Sequence, residues 1–365
     1  MEIKEYKCPN CGGAVKFDSS SQKMKCPFCG TEFEVSALEE YQKDLQTMAK
    51  DRFGWAGDTE ADKEWKDTEI DDLAGNSCPS CGAELIGDKN TAATVCPCCG
   101  NNQIVSRRLT GLLKPDFVIP FKLDKKAAVE ALKNFCKGKR KRLLPKFFIQ
   151  ENHIGSIQGM YVPFWLFDAK AQGNVRYRAT KMAAWSDNSY DYTKTDHYSI
   201  VRDGSITFEK IPVDGSEKMD DSYMDSIEPF DYTQLKDFEK PYLAGYLAEK
   251  YDVDAGKSKE RANQRIKTTV ESEFAKSIVG FTSVTPESSS IQVEDGKVWY
   301  SLFPVWILNT KYRKENFVFM MNGQSGLLAG RLPVDSGKAW KYRLLFTGII
   351  GIVLTGLIQA LRIFL

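Results

Sequence analysis

The chain has 365 residues, is 42% hydrophobic and 27% charged, and carries a formal net charge of only +1. That is enough chain for two or three domains with one sizeable core, and too little net charge to imply a polyanionic partner. The opening Met1–Tyr6 is polar and acidic, so no secretory signal is read there. The ten cysteines are therefore expected in a reducing compartment, where grouped cysteines read as metal ligands. With only His153 and His197 present, a histidine-rich catalytic metal centre is all but excluded.

The first segment, residues 1–36, holds Cys8, Cys11, Cys26 and Cys29 in the spacing C-x2-C-x14-C-x2-C. Residues 78–108 repeat that spacing with Cys78, Cys81, Cys96 and Cys99. All four pairs carry one five-residue word: CPNCG, CPFCG, CPSCG and CPCCG. In such a turn proline stiffens the approach, two thiolates converge, and glycine accepts the backbone angles that follow. Two turns facing each other make a closed tetrahedral site, so two structural Zn2+ ions are expected, with disulfides and iron as the alternatives. Short alternating segments such as Ala14–Phe17 and Thr31–Val35 suit small β-hairpins. The metal stands in for a core that a unit of about 30 residues cannot build. A closed four-thiolate site has no open position for catalysis. Cys98 is the spare thiol, Cys99 its neighbour being the ligand, and Cys136 reads as a small buried apolar residue.

Residues 37–77 read as an acidic helix and linker. Leu38, Tyr41, Leu45 and Met48 recur at helical spacing, and Ser36–Ser77 holds twelve acidic against five basic residues. Trp55 and Trp65 punctuate the acidic stretch. They are expected either to dock back on the ribbons or to anchor a partner.

Residues 109–337 read as one α+β domain, antiparallel in its sheet and pseudo-duplicated. Val118–Phe121 suits a strand, with Asp124 capping a helix to about Lys137. A second helix is expected near Asp254–Ile278, and Asn322-Gly323 suits a hairpin turn. Pro163-Phe-Trp165 and Pro304-Val-Trp306 are displaced by 141 residues. Each leads on to a related word, Ile211-Pro-Val-Asp214 or Leu332-Pro-Val-Asp335. No P-loop, GxSxG, HExxH or GxGxxG motif is present, and Asp168 and Asp214 are unpaired by spacing, so no enzymatic activity and no catalytic residue are expected. The dense basic run Lys137–Lys146 (KGKRKRLLPK) is a solvated face or a site for anionic lipid or nucleic acid.

Residues 338–365 read as a single transmembrane anchor, since Leu344–Leu361 is eighteen residues without a charge. Arg331, Lys338, Lys341 and Arg343 precede it and place the bulk of the chain on the cytoplasmic side of the cell membrane. Thr347, Gly351 and Thr355 form a small-residue stripe suited to a homodimer or a membrane partner.

Together the CPxCG ribbons, the segment Tyr161–Asp168 (YVPFWLFD) and the terminal anchor resemble a bacterial family of membrane-anchored proteins with TFIIB-type zinc ribbons. The resemblance implies association with phage-shock-like and SPFH (flotillin-type) membrane proteins, hence a recruiting or scaffolding role. Its alternative is a membrane-tethered nucleic-acid-binding regulator. Against that alternative, Cys8–Cys29 contains three lysines and one aspartate, and Cys78–Cys99 one lysine and two acids.

Overall fold

The computed structural model describes residues 6–47, 49–55, 64–65, 70, 73–89, 95–107, 113–137, 143–145, 154–312 and 315–364. Side chains at 44–47, 295, 311–312, 357 and 360–364 fall outside that description. Leu45, Met48 and most of the basic run Lys137–Lys146 thus lie outside the described residues. The protein is multidomain, with two four-cysteine clusters and a mixed, sheet-rich body. It divides into two compact units that interleave along the chain.

The first unit takes Met1–Ala56, Asp168–Glu209 and Ala262–Lys297. Strands β1 (Lys16–Asp18), β2 (Lys23–Lys25) and β3 (Glu32–Phe33) form a separate antiparallel sheet, followed by α1 (Val35–Thr47). Leu38 on α1 is buried with Cys8, Val15 and Cys26, so the helix seals the ribbon. On the next turn, Tyr41 donates to Glu287 at 2.6 Å. After β4 (Arg52–Trp55), the Trp55 indole donates to Asn263 at 3.0 Å.

The second unit takes Gly57–Phe167, Lys210–Arg261 and Val298–Leu365. Its early strands are β5 (Leu73–Ser77), β6 (Glu84–Asp88), β7 (Val105–Arg107) and β8 (Phe117–Val118), followed by α2 (Lys125–Phe135). Two long strands, β9 (Gln158–Ser186) and β10 (Asp191–Asp214), contribute residues to both units, and α3 (Asp221–Ser226) follows. Next come β11 (Lys236–Asp237), β12 (Leu247–Glu249), α4 (Ala255–Lys276) and the long β13 (Ser283–Tyr312), the last two also divided between the units. The last elements are β14 (Glu315–Asn322), β15 (Leu328–Gly330) and α5 (Ser336–Phe364). Here Trp65 donates to the Leu113 carbonyl and meets Phe238 edge-on at 5.7 Å. The described contacts of both tryptophans are thus to the α+β framework.

The expected antiparallel sheet is corrected: the sheet is mixed. β12 runs parallel to β9, and β8 runs parallel to β13. The reason is a repeated arrangement in which each copy's short strand pairs with the other copy's long one. Leu247 and Ala248 pair with Met160 and Tyr161, while Phe117 and Val118 pair with Ser301 and Leu302. The Trp165 indole donates to Val253, just before the Asp254 that receives the Lys257 amide at the start of α4. The Trp306 indole donates to Leu123, just before the Asp124 that caps α2. Gly215 donates to Pro163 and accepts from Asp252 and Val253; Gly323 donates to Pro304 and accepts from Lys122 and Leu123. The two Pro-x-Trp words thus hold matching positions. The second pair of words does not: Asp214 matches Asn322, not Asp335, which caps α5.

Candidate metal centres

Each CPxCG word folds into the same turn. The first-cysteine amide donates to a carbonyl five residues on, Cys8 to Gly13 at 2.7 Å and Cys96 to Asn101 at 2.8 Å. The glycine amide donates back to that cysteine, as from Gly12 to Cys8 at 2.8 Å. This requires a left-handed glycine, and Gly12, Gly30, Gly82 and Gly100 all have φ between 72° and 75°. The turn leaves both thiols on one side.

The structure brings together Cys8, Cys11, Cys26 and Cys29, and separately Cys78, Cys81, Cys96 and Cys99, each set with its sulfur atoms within 4.8 Å of one another. Across the facing turns the Sγ–Sγ distances are 3.6 and 3.4 Å in the first set and 3.6 and 3.7 Å in the second. A tetrahedral ion with metal–sulfur bonds of zinc's length has an edge of about 3.8 Å, so both cages fit an ion of that size. Thr31 hydrogen-bonds Cys29 and lowers its thiol to about 6, and Cys98 does the same for Cys96, to about 5. Burial acts the other way on Cys8, raised to about 12, and on Cys81 and Cys99, so each cage without its ion pairs a lowered thiol with raised ones.

The two centres differ in their surroundings. In the first, Cys11 and Cys29 are exposed, and Phe28 in the second turn is 76% exposed. Its ring lies over Gly13, where a Cβ would stand 2.5 Å from the ring. In the second centre Ala83 replaces Gly13 and Cys98 replaces Phe28. Cys98 is turned inward, 3.6 Å from the Glu249 carboxylate, which also accepts from Ser216 at 2.9 Å. Cys78 and Cys96 are fully buried, and the Pro97 carbonyl accepts a hydrogen bond from Asn309. Strand β6 between the two turns pairs with β12, Leu85 opposite Glu249, so this ribbon is part of the main sheet.

Sequence reasoning missed Glu249. It is 1% exposed, its Oε2 finds no hydrogen-bond partner among the described residues, and burial pushes its carboxyl up to about 8. Nothing in the local sequence separates it from any other strand glutamate. Cys136 is buried as expected, and its desolvated thiol rises to about 11. Asp214 is held by Arg261, which also pairs with Asp221 at 3.0 Å and Asp225 at 2.7 Å. Among the described residues the two cysteine sets are the groups that could hold a metal ion.

The remaining sequence expectation concerns α5. Leu344, Leu345, Phe346, Ile349, Ile350, Ile352, Val353 and Leu354 on this helix are all exposed. Among the described residues no helix is long and apolar enough to cross a membrane. Leu357, Ala360 and Leu361, whose side chains are not described, belong to the uncharged run Leu344–Leu361, which Arg362 ends.

Fold and sites together define a class: a multidomain, sheet-rich protein with two four-cysteine turn pairs, each able to hold one metal ion. The chain is 36% identical over 351 residues to YdjG of Bacillus subtilis (strain 168), a protein described as uncharacterized. The alignment covers 96% of this chain and 95% of that protein, and the chain belongs to the same family. No family model matches the chain. No solved structure matches it either.

Proposed function

We propose that this protein is a non-enzymatic adaptor, anchored in the cell membrane by α5, that recruits partner proteins on the cytoplasmic side through its first zinc ribbon. The observation that carries this reading is the contrast at one position of the two second turns. Phe28 is presented outward on a ribbon whose sheet is separate, whereas Cys98 is sunk into a ribbon built into the main sheet. An aromatic ring held on a rigid turn and left exposed suits a binding anchor. Zinc in both cages supplies cross-linking and no chemistry, because four thiolates leave no open position. Partners of phage-shock-like or SPFH type follow from the family resemblance.

The anchor rests on the uncharged run and on a helix whose apolar side chains are exposed together, an arrangement disfavoured in water. Gly348, Gly351 and Gly356 face open space, which suits close packing against a second helix. Nucleic-acid binding is the less favoured reading. Two of the first ribbon's lysines are already paired, Lys23 with Glu34 at 2.9 Å and Lys25 with Glu32 at 3.0 Å.

The test is affinity purification from detergent-solubilised membranes with wild type, Phe28→Ala, Cys8→Ser and Cys78→Ser, with metal content read on each. Carbonate extraction of the membranes reports on the anchor. Membrane proteins that co-purify with wild type and are lost with Phe28→Ala, at unchanged metal content, support the adaptor. Partners that survive both Phe28→Ala and Cys8→Ser overturn the role of the first ribbon.

A further inference from the structure

We infer that the foot of α5 is a binding site for an anionic phospholipid of the bilayer in which that helix sits; the inference rests on the anchor reading. Three observations in the second unit converge there. The first is a connection invisible in sequence. The Asp335 amide donates to Leu143 at 2.8 Å, and Lys338 Nζ donates to Leu144 at 2.6 Å. These bonds fasten the apolar end of the basic run to the first turn of α5, across more than 190 residues of chain.

The second observation is a cavity of about 570 Å³ at this junction, walled by Leu143, Leu144, Tyr223, Leu332, Pro333 and Val334. Its walls are apolar and suit a hydrocarbon chain better than a polar metabolite. Third, cations follow the cavity along the chain. Arg331 lines it and pairs with Glu315 at 2.8 Å, and Lys341 and Arg343 stand exposed further along α5, with Trp340 exposed beside them. Acids close to it already have partners: Asp335 accepts the Gly337 and Lys338 amides, and Asp221 and Asp225, beside Tyr223 in sequence, pair with Arg261. Apolar walls, exposed cations at the start of α5 and an adjoining apolar helix match the parts of a phospholipid: chain, phosphate and neighbouring lipid. Juxtamembrane basic clusters select anionic headgroups on this ground.

The experiment is native mass spectrometry of the full chain in detergent, titrated with phosphatidylglycerol or phosphatidylcholine of identical acyl chains. Wild type should retain the anionic lipid at least tenfold better. Val334→Trp, a change at a half-exposed wall position, fills the cavity and should lower retention of phosphatidylglycerol about tenfold. Lys341→Gln/Arg343→Gln should bring the two lipids within about twofold of each other. Millimolar glycerol 3-phosphate should not displace the lipid; if it does, the site takes a free phosphate ester and the inference is wrong. Equal retention of both lipids by wild type, or full retention by a folded Val334→Trp, also overturns it. Carbonate extraction separates the two claims. A chain stripped from membranes that still selects phosphatidylglycerol defeats the anchor and keeps the lipid site. One retained in membranes that takes both lipids equally defeats the lipid site alone.

Discussion

Removing one metal should damage far more of the protein than removing the other. In the Cys78→Ser variant the second cage loses a ligand, and the turns that hold the ends of β6 are released. Strand β6 carries Leu85 and Ile86, 0% and 8% exposed, with Leu85 in the main core beside Met160 and Val162. Releasing β6 from β12 exposes both, at about 1.5–3 kcal/mol each. It also removes the Lys250 amide's bond to the Glu84 carbonyl and the Cys98 contact of Glu249. The sum is about 3–6 kcal/mol, a large part of a total stability on the order of 5–15 kcal/mol. In Cys8→Ser the loosened elements are β1, β2 and β3, whose sheet is separate, together with the seal that Leu38 provides. The assay is thermal unfolding with hydrogen exchange read at Ala248 and Lys250. Cys78→Ser should lower the midpoint by on the order of 10 °C and expose those two amides. Cys8→Ser should leave both nearly as in wild type. Equal losses in the two variants, or protected Ala248 and Lys250 amides in Cys78→Ser, would refute the reasoning.

The matching glycines of the repeat should respond unequally to alanine. A Cβ at Gly323 would stand 2.9 Å from the Pro304 carbonyl oxygen and 2.8 Å from Phe121, whereas one at Gly215 meets nothing nearer than 3.1 Å. Gly323→Ala should cost about 1–3 kcal/mol in denaturant melts and Gly215→Ala clearly less. Burial raises the Glu249 carboxyl from 4.5 to about 8, so the folded chain holds a proton that the unfolded chain releases. Stability should therefore fall as pH rises from 4.5 through about 8, and Glu249→Gln should flatten that slope. Tyr41→Phe removes a hydroxyl bonded to the Glu287 that Arg178 also holds at 2.6 Å. Hydrogen exchange in α1 should rise by an amount corresponding to about 1 kcal/mol, with metal content unchanged.

The metal cages were legible from the chain alone because their requirements are local. Two thiols two residues apart, and a glycine that must take a positive φ, fix each turn within five residues, and all four glycines adopt it. The helix after Asp124 was legible for a similar reason: a capping carboxylate and an apolar face at 3.6-residue period lie within one segment, and Ala128 and Leu132 are buried as that period requires. The 141-residue displacement of the Pro-x-Trp words also pointed to matching strands, because those strands meet equivalent partners.

What only the tertiary structure decided depends on partners distant in sequence. Two ribbons with identical spacing have opposite surroundings, since β6 finds an edge on β12 while β1–β3 pair among themselves. Glu249 becomes a buried acid because β12 sets it opposite Leu85 and beneath Cys98, 151 residues away. Parallel pairing arose where antiparallel had been expected, because each copy of the repeat lends its short strand to the other. Strand alternation records which residues face inward but not which neighbour they face. The same limit hid the fastening of Leu143 and Leu144 to the first turn of α5: hydrogen bonds to main-chain carbonyls leave no trace in side-chain identity.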